Sequence, residues 1–164
     1  MNTYCGTGLA NPRNPRGLTL AWDHNVYAKK GSDVQLKMAV TGFGLALSFS
    51  IATHFFAGEH QLEIFALFLA LTSCVYGGAV LTQAGAKYSL IELPFVVIVF
   101  VTSILGLLFS PLWLAVGYML HGVWDLGHHF NHVKTPMVKW FPPLCSAFDL
   151  LMAIFIVWLW YVVL

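Results

Sequence analysis

Five apolar stretches, each close to twenty residues long, follow one another along the chain with short polar breaks between them. They run from Gln35 to Ala57, Gln61 to Gln83, Leu90 to Phe109, Pro111 to His132 and Leu144 to Leu164. About twenty apolar residues in helical conformation cross the ~30 Å hydrocarbon core of a bilayer. The pattern therefore predicts an all-α integral membrane bundle of five transmembrane helices over residues 34–164. The weakest boundary is "LLFSPLWL", where only Ser110 and Pro111 separate the third stretch from the fourth. Proline suits the first turn of a helix, where its missing N–H would have no partner. A tight hairpin is thus expected there, not one long kinked helix.

Residues 1–33 differ from the rest. They carry Pro12, Pro15 and several glycines and lack the apolar core of a signal peptide, and they read as a cytoplasmic or interfacial tail. Composition agrees with the membrane assignment: 59% of the 164 residues are hydrophobic and only 9% charged, against roughly 25% charged in soluble domains. Charge placement then gives the orientation. Arg13, Arg16, Lys29, Lys30, Lys37, Lys87, Lys134 and Lys139 all fall on one side if the chain crosses five times. The positive-inside rule places that side, and the N-terminus with it, in the cytoplasm. The expected location is the bacterial cytoplasmic membrane, with the lipid bilayer as the surrounding partner.

Other features narrow the picture less. Cys5, Cys74 and Cys145 are odd in number and widely spaced, so neither a disulfide framework nor a thiolate zinc site is indicated. A net charge of +1 gives no reason to expect a nucleic-acid partner. Gly42, Ala46, Ser50 and Thr53 form a stripe of small residues on the first helix, which reads as a packing face.

The chemistry is concentrated in "HGVWDLGHHFNH", residues 121–132, which holds four of the seven histidines. On a helix, His121, Asp125, His128 and His132 follow an i, i+4, i+7, i+11 series within a sector of roughly 60°, with His129 on its shoulder. An aspartate against lipid near the bilayer centre costs roughly 2.5–3.5 kcal/mol, so this stripe has to face other helices or a wet cavity. Glu92 in "IELP" and Asp149 in "CSAFD" belong to the same end of their helices and could join it. The expected site is a convergent pocket in the cytoplasmic half of the bundle.

Imidazole and carboxylate are the usual protein ligands of zinc, iron and copper. His121, Asp125, His128, His132, Asp149 and Glu92 are accordingly candidate metal ligands for a transition metal. Asp125 and Asp149 could instead orient an imidazole ring by accepting its second N–H. His129 and Asp125 are the candidates for catalytic proton handling. Two other readings use the same residues. One is a hydrated, hydrogen-bonded packing face open to the cytoplasm. The other is a metal-free proton path, because chains of His and Asp relay protons inside membranes.

Two family resemblances rest on these residues. "HGVWDLGHH" followed by "WFPPLCSAFD" resembles the paired signature of small bacterial multi-pass membrane proteins grouped as a domain of unknown function, over residues 111–160. That resemblance implies that the two motifs belong to one site and implies no activity. "DLGHH" is similar to the HxxHH box of membrane fatty-acid desaturases and hydroxylases, with Asp125 in place of the first histidine. Those enzymes hold two irons with histidine clusters at cytoplasmic helix ends. This chain lacks their HxxxH boxes, and a full di-iron shell would have to include Asp125, Asp149 and Glu92. Neither their activity nor their metal count carries over.

The functional expectation is a metal-dependent oxidoreductase or hydrolase acting on a lipophilic small molecule. The alternative is a non-catalytic membrane protein: a metal or proton transporter, or an accessory subunit of a larger complex. Homo-oligomerisation would help a chain of this size to form a transport path.

Overall fold

A computed structural model of the chain describes residues 19–56, 58–79, 85–133, 135 and 138–162. The chain divides into two compact units, Met1–Asp33 and Val34–Leu164, and the packed helices and polar clusters belong to the second. Residues 1–18 of the expected tail lie outside the described residues, as do Gln83 and Lys134.

The described residues are all-helical, in five helices: α1 (Thr19–Thr53), α2 (Gly58–Ala79), α3 (Gly85–Leu108), α4 (Leu112–His129) and α5 (Phe141–Val162). No strand occurs among the described residues. Helix α1 starts at Thr19, well before the expected Gln35, and its apolar part is Ser32–Thr53. Ser110 and Pro111 separate α3 from α4 as expected. Pro111 is the N-cap residue of α4 with φ −54°, and its carbonyl accepts from Leu114 N–H at 3.0 Å. Pro142 and Pro143 fall in the first turn of α5, where their missing donors cost the helix nothing.

Four of the helices are long and apolar enough to cross a membrane: the segments Ser32–Thr53, His60–Gly78, Leu90–Leu108 and Phe141–Val162. The molecule is inverted relative to a water-soluble protein. Leu108, Ile154 and Val123 are 70%, 61% and 55% exposed, while His121, Asp125 and Glu92 are fully buried. Extended apolar exteriors of this kind mark a surface that meets lipid or a partner, not water. With helices of this length, the exterior is that of a membrane protein.

The interior has an apolar layer and a polar one. Phe65, Leu69, Val99, Leu114, Tyr118, Met152 and Ile156 form the apolar layer. Tyr118, buried there, donates its hydroxyl to the Phe65 carbonyl at 2.9 Å, so its one polar atom is satisfied. Close helix approach depends on glycine at Gly117, where a Cβ would lie 2.3 Å from Thr102 Oγ1 and 2.6 Å from Leu69 Cδ2. That absent methyl lets α4 settle against α3 and α2 together. The polar layer begins one turn further along α4.

Candidate functional site

Helix α4 presents its buried face through Leu114, Tyr118, His121, Asp125 and His128. These positions follow the 3.6-residue period, so a single stripe changes from apolar to polar along its length. The polar end divides into two groups that Tyr76 of α2 joins.

The first group is His121, Asp125 and Asp149. His121 Nδ1 lies 2.6 Å from Asp149 Oδ2 and 3.5 Å from Asp125 Oδ2. One turn of helix sets the spacing of His121 and Asp125, and α5 supplies Asp149 from the turn after its proline pair. One ligand atom from each residue lies within 4.8 Å of the other two, and all three residues are buried. The Tyr76 hydroxyl donates to Asp125 Oδ1. His121 Nε2, Asp125 Oδ2 and Asp149 Oδ1 are buried without a hydrogen-bond partner.

The second group gathers round Glu92 of α3. Its Oε2 accepts from Trp124 Nε1 at 3.0 Å, and its Oε1 accepts from the Thr135 hydroxyl. His128 Nε2 lies 3.2 Å from Glu92 Oε1. Phe95 stacks on Trp124 with ring centroids 4.2 Å apart and holds the indole in place. The Tyr76 ring lies 4.9 Å from that of His128 and 5.5 Å, edge-on, from that of His121. It touches both groups.

The single pocket expected from the sequence is therefore two adjoining ones. His121, Asp125 and Asp149 come together; His128 and Glu92 pair separately. His129 stays on the shoulder, half-buried, with its ring against Phe130 at 4.9 Å. His132 does not join the file, and the expected extension of the fourth helix to that residue is corrected. Helix α4 ends at His129, and Asn131 adopts φ 59°. His132 N–H then bonds back to the Gly127 carbonyl at 2.9 Å, and Asn131 N–H to that of His128 at 3.1 Å. This pair of bonds is a Schellman stop, which asparagine supports because it tolerates the left-handed region. The turn leaves His132 exposed.

Tyr76 and Thr135 were not legible as site residues. Tyr76 sits in a long apolar helix beside Gly77 and Gly78, where a tyrosine reads as packing. Its one signal is a hydroxyl that must find a partner when buried in a membrane.

The chemistry of the first group follows from its charge. Two carboxylates face one imidazole away from water, and an uncompensated buried charge is costly. A shared proton or a bound cation would balance it. Donor atoms that share an ion at about 2.0–2.2 Å each are at most about 4.4 Å apart. Tetrahedral donors lie closer, about 3.4 Å apart at these bond lengths, so the widest separation here would close by roughly an ångström on binding.

Comparison with known proteins adds a family and no activity. No curated protein matches the chain, and no solved structure does. No relative supports the likeness to histidine-box desaturases and hydroxylases. The family match extends well beyond the paired motifs of residues 111–160. Residues 37–161, which hold both polar groups, match the model of a family of unknown function, DUF6010, and the chain belongs to that family.

Proposed function

We propose that this protein crosses the membrane five times and holds a transition-metal ion at His121, Asp125 and Asp149. Helix α4 is the fifth crossing in this reading. Its 18 residues span ~27 Å at ~1.5 Å per residue, close to the thickness of the hydrocarbon core. It is less apolar than its neighbours because His121, Asp125 and His128 lie on its inner face, where other helices cover them. Five crossings put the basic residues on one side and the N-terminus in the cytoplasm.

The observation that carries the metal reading is the mutual approach of three ligand atoms within 4.8 Å, fully buried, with Asp125 Oδ2 lacking a hydrogen-bond donor. One nitrogen and two carboxylate oxygens suit iron, copper or zinc. An ion held this deep meets membrane-soluble molecules, so oxidation or hydrolysis of a lipophilic substrate is the chemistry it would serve. Here Asp125 and Asp149 fix the His121 ring, and Tyr76 fixes Asp125.

A non-catalytic reading has one observation in its favour. Tyr76 lies between the His121 and His128 groups, bonding Asp125 through its hydroxyl and resting its ring on His128, so polar residues succeed one another from α5 to α3 as they would along a proton path. Metal content separates the two. Full-length protein purified in detergent should carry about one equivalent of iron, copper or zinc by elemental analysis. The His121→Ala/Asp149→Ala variant should lose it. Wild-type protein that stays metal-free after incubation with each ion would overturn the metal reading and favour the proton path.

A further inference from the structure

Beside the His121 group lies a cleft of about 230 Å³ between α1, α2 and α5. Leu45 and Phe49 line it from α1, Phe68 and Thr72 from α2, and Cys145 and Asp149 from α5. Its walls are apolar apart from these last polar groups. Thr72 donates its hydroxyl to the Leu69 carbonyl at 3.0 Å and is satisfied. Asp149 is not: it is 1% exposed, and Oδ1 has no hydrogen-bond partner. A buried carboxylate thus lines an apolar space, and one of its oxygens has no hydrogen-bond partner.

The cleft's position says where an occupant would come from. Leu45, on its α1 wall, is 50% exposed on the surface that faces lipid. Phe49, Phe68 and Phe148 form its aromatic side, with centroid separations of 4.8 Å for Phe49–Phe68 and 5.0 Å for Phe68–Phe148. At ~30 Å³ per water-sized group, 230 Å³ holds about seven such groups. That is the head and first carbons of one alkyl chain, with the remainder left in the bilayer.

Charge selects the head. An anionic head carries acceptors only, so it has no hydrogen to give the Asp149 carboxylate and would set like charge against it in a site shielded from water. A hydroxyl or amine would instead supply the donor that Asp149 Oδ1 lacks. We infer that the cleft admits, laterally from the bilayer, a single-chain amphiphile whose head donates a hydrogen bond to Asp149. This inference rests on the reading of the His121 group as the working site, and names the class of molecule brought to it.

The test uses the full chain in phosphatidylcholine nanodiscs with two photoactivatable probes, a long-chain alcohol and an alkyl sulfonate of the same length. Labelled residues are mapped by mass spectrometry, with metal measured on the same samples, chelator-treated and metal-loaded. The alcohol should label Phe68 and Thr72 several-fold more than the sulfonate does, and several-fold more than it labels lipid-facing Val123. Leu45→Trp, at an exposed position, should block the cleft and remove that labelling with metal content unchanged. Asp149→Asn should erase the preference for the alcohol. Equal labelling of the cleft by both probes, or no excess over Val123, overturns the inference whatever the metal content. Selective labelling of a protein that never binds metal keeps the inference and removes the ion.

Discussion

The Tyr76 hydroxyl donates to Asp125 Oδ1 across the α2–α4 interface, and both residues are fully buried. This bond leaves Asp125 Oδ2 free for His121 and fixes the plane of the carboxylate. The same ring lies against His121 and His128, so one side chain sets the geometry of both polar groups. Tyr76→Phe keeps the ring and removes only the donor. A buried acceptor left unsatisfied costs about 1–3 kcal/mol, which a thermal melt in detergent would read as lost stability. If Asp125 is a metal ligand, affinity should fall roughly 10–100-fold, the usual effect of losing an outer-shell partner. An unchanged melt and unchanged affinity would show that Tyr76 only fills space.

His132 and His128 should behave oppositely although both belong to the same sequence motif. His132 takes part in the Schellman stop through its backbone alone and is exposed, so His132→Ala should change stability by no more than about 0.5 kcal/mol and leave metal content intact. His128 lies 3.2 Å from Glu92. His128→Ala removes that partner from a buried carboxylate and should lower the melting temperature clearly. A further Glu92→Gln should recover part of the loss by removing the stranded charge. Loss of metal in His132→Ala alone would show that the loop after α4 folds back onto the site.

Much of this architecture was legible because membrane helices announce themselves. The apolar stretches gave five helices, and Ser110–Pro111 gave the break between the third and fourth. The i, i+4 spacing of His121 and Asp125 placed them on one face, and the distance of "CSAFD" from its proline pair brought Asp149 to them. His132 falls outside α4 because the helix stops short of Asn131, and asparagine past a helix end is itself a stop signal that periodicity alone passes over. The division into two groups was not readable at all. It depends on how far α3 and α4 rotate about their axes, and side-chain packing decides that. Helix α4 falls below the hydropathy of its neighbours for the reason that makes it interesting: its polar residues are bound inward.

Helix α1 offers a test of the packing that forms the cleft wall. A Cβ on Gly42 would lie 2.0 Å from the Leu144 backbone oxygen, which cannot rotate away. Gly42→Ala should push α1 from α5 and cost roughly 1–3 kcal/mol, the range for overpacking. Gly44 has nothing within 4 Å of the same added atom. Gly44→Ala should be neutral or stabilise by up to about 1 kcal/mol, through helix propensity alone. Equal melting temperatures for the two variants would mean that α1 does not pack against α5 in the membrane.

The crossing of α4 can be decided by where its flanks emerge. His60, near the start of α2, and Lys139, between α4 and α5, are both exposed. With five crossings and a cytoplasmic N-terminus they face opposite sides of the membrane. If α4 instead dips in and returns, they share one side. After Cys5, Cys74 and Cys145 are replaced, a single cysteine at position 60 should react with a membrane-impermeant maleimide in intact cells. One at position 139 should react only after permeabilisation. Carrying an aspartate to mid-membrane costs roughly 2.5–3.5 kcal/mol on an isolated helix. In a crossing α4, Asp125 is paired with Tyr76 and His121, which would offset that cost and favour full insertion over a surface-lying α4. Reaction at position 139 in intact cells would return α4 to one side, and with it the histidine stripe and every argument about its depth.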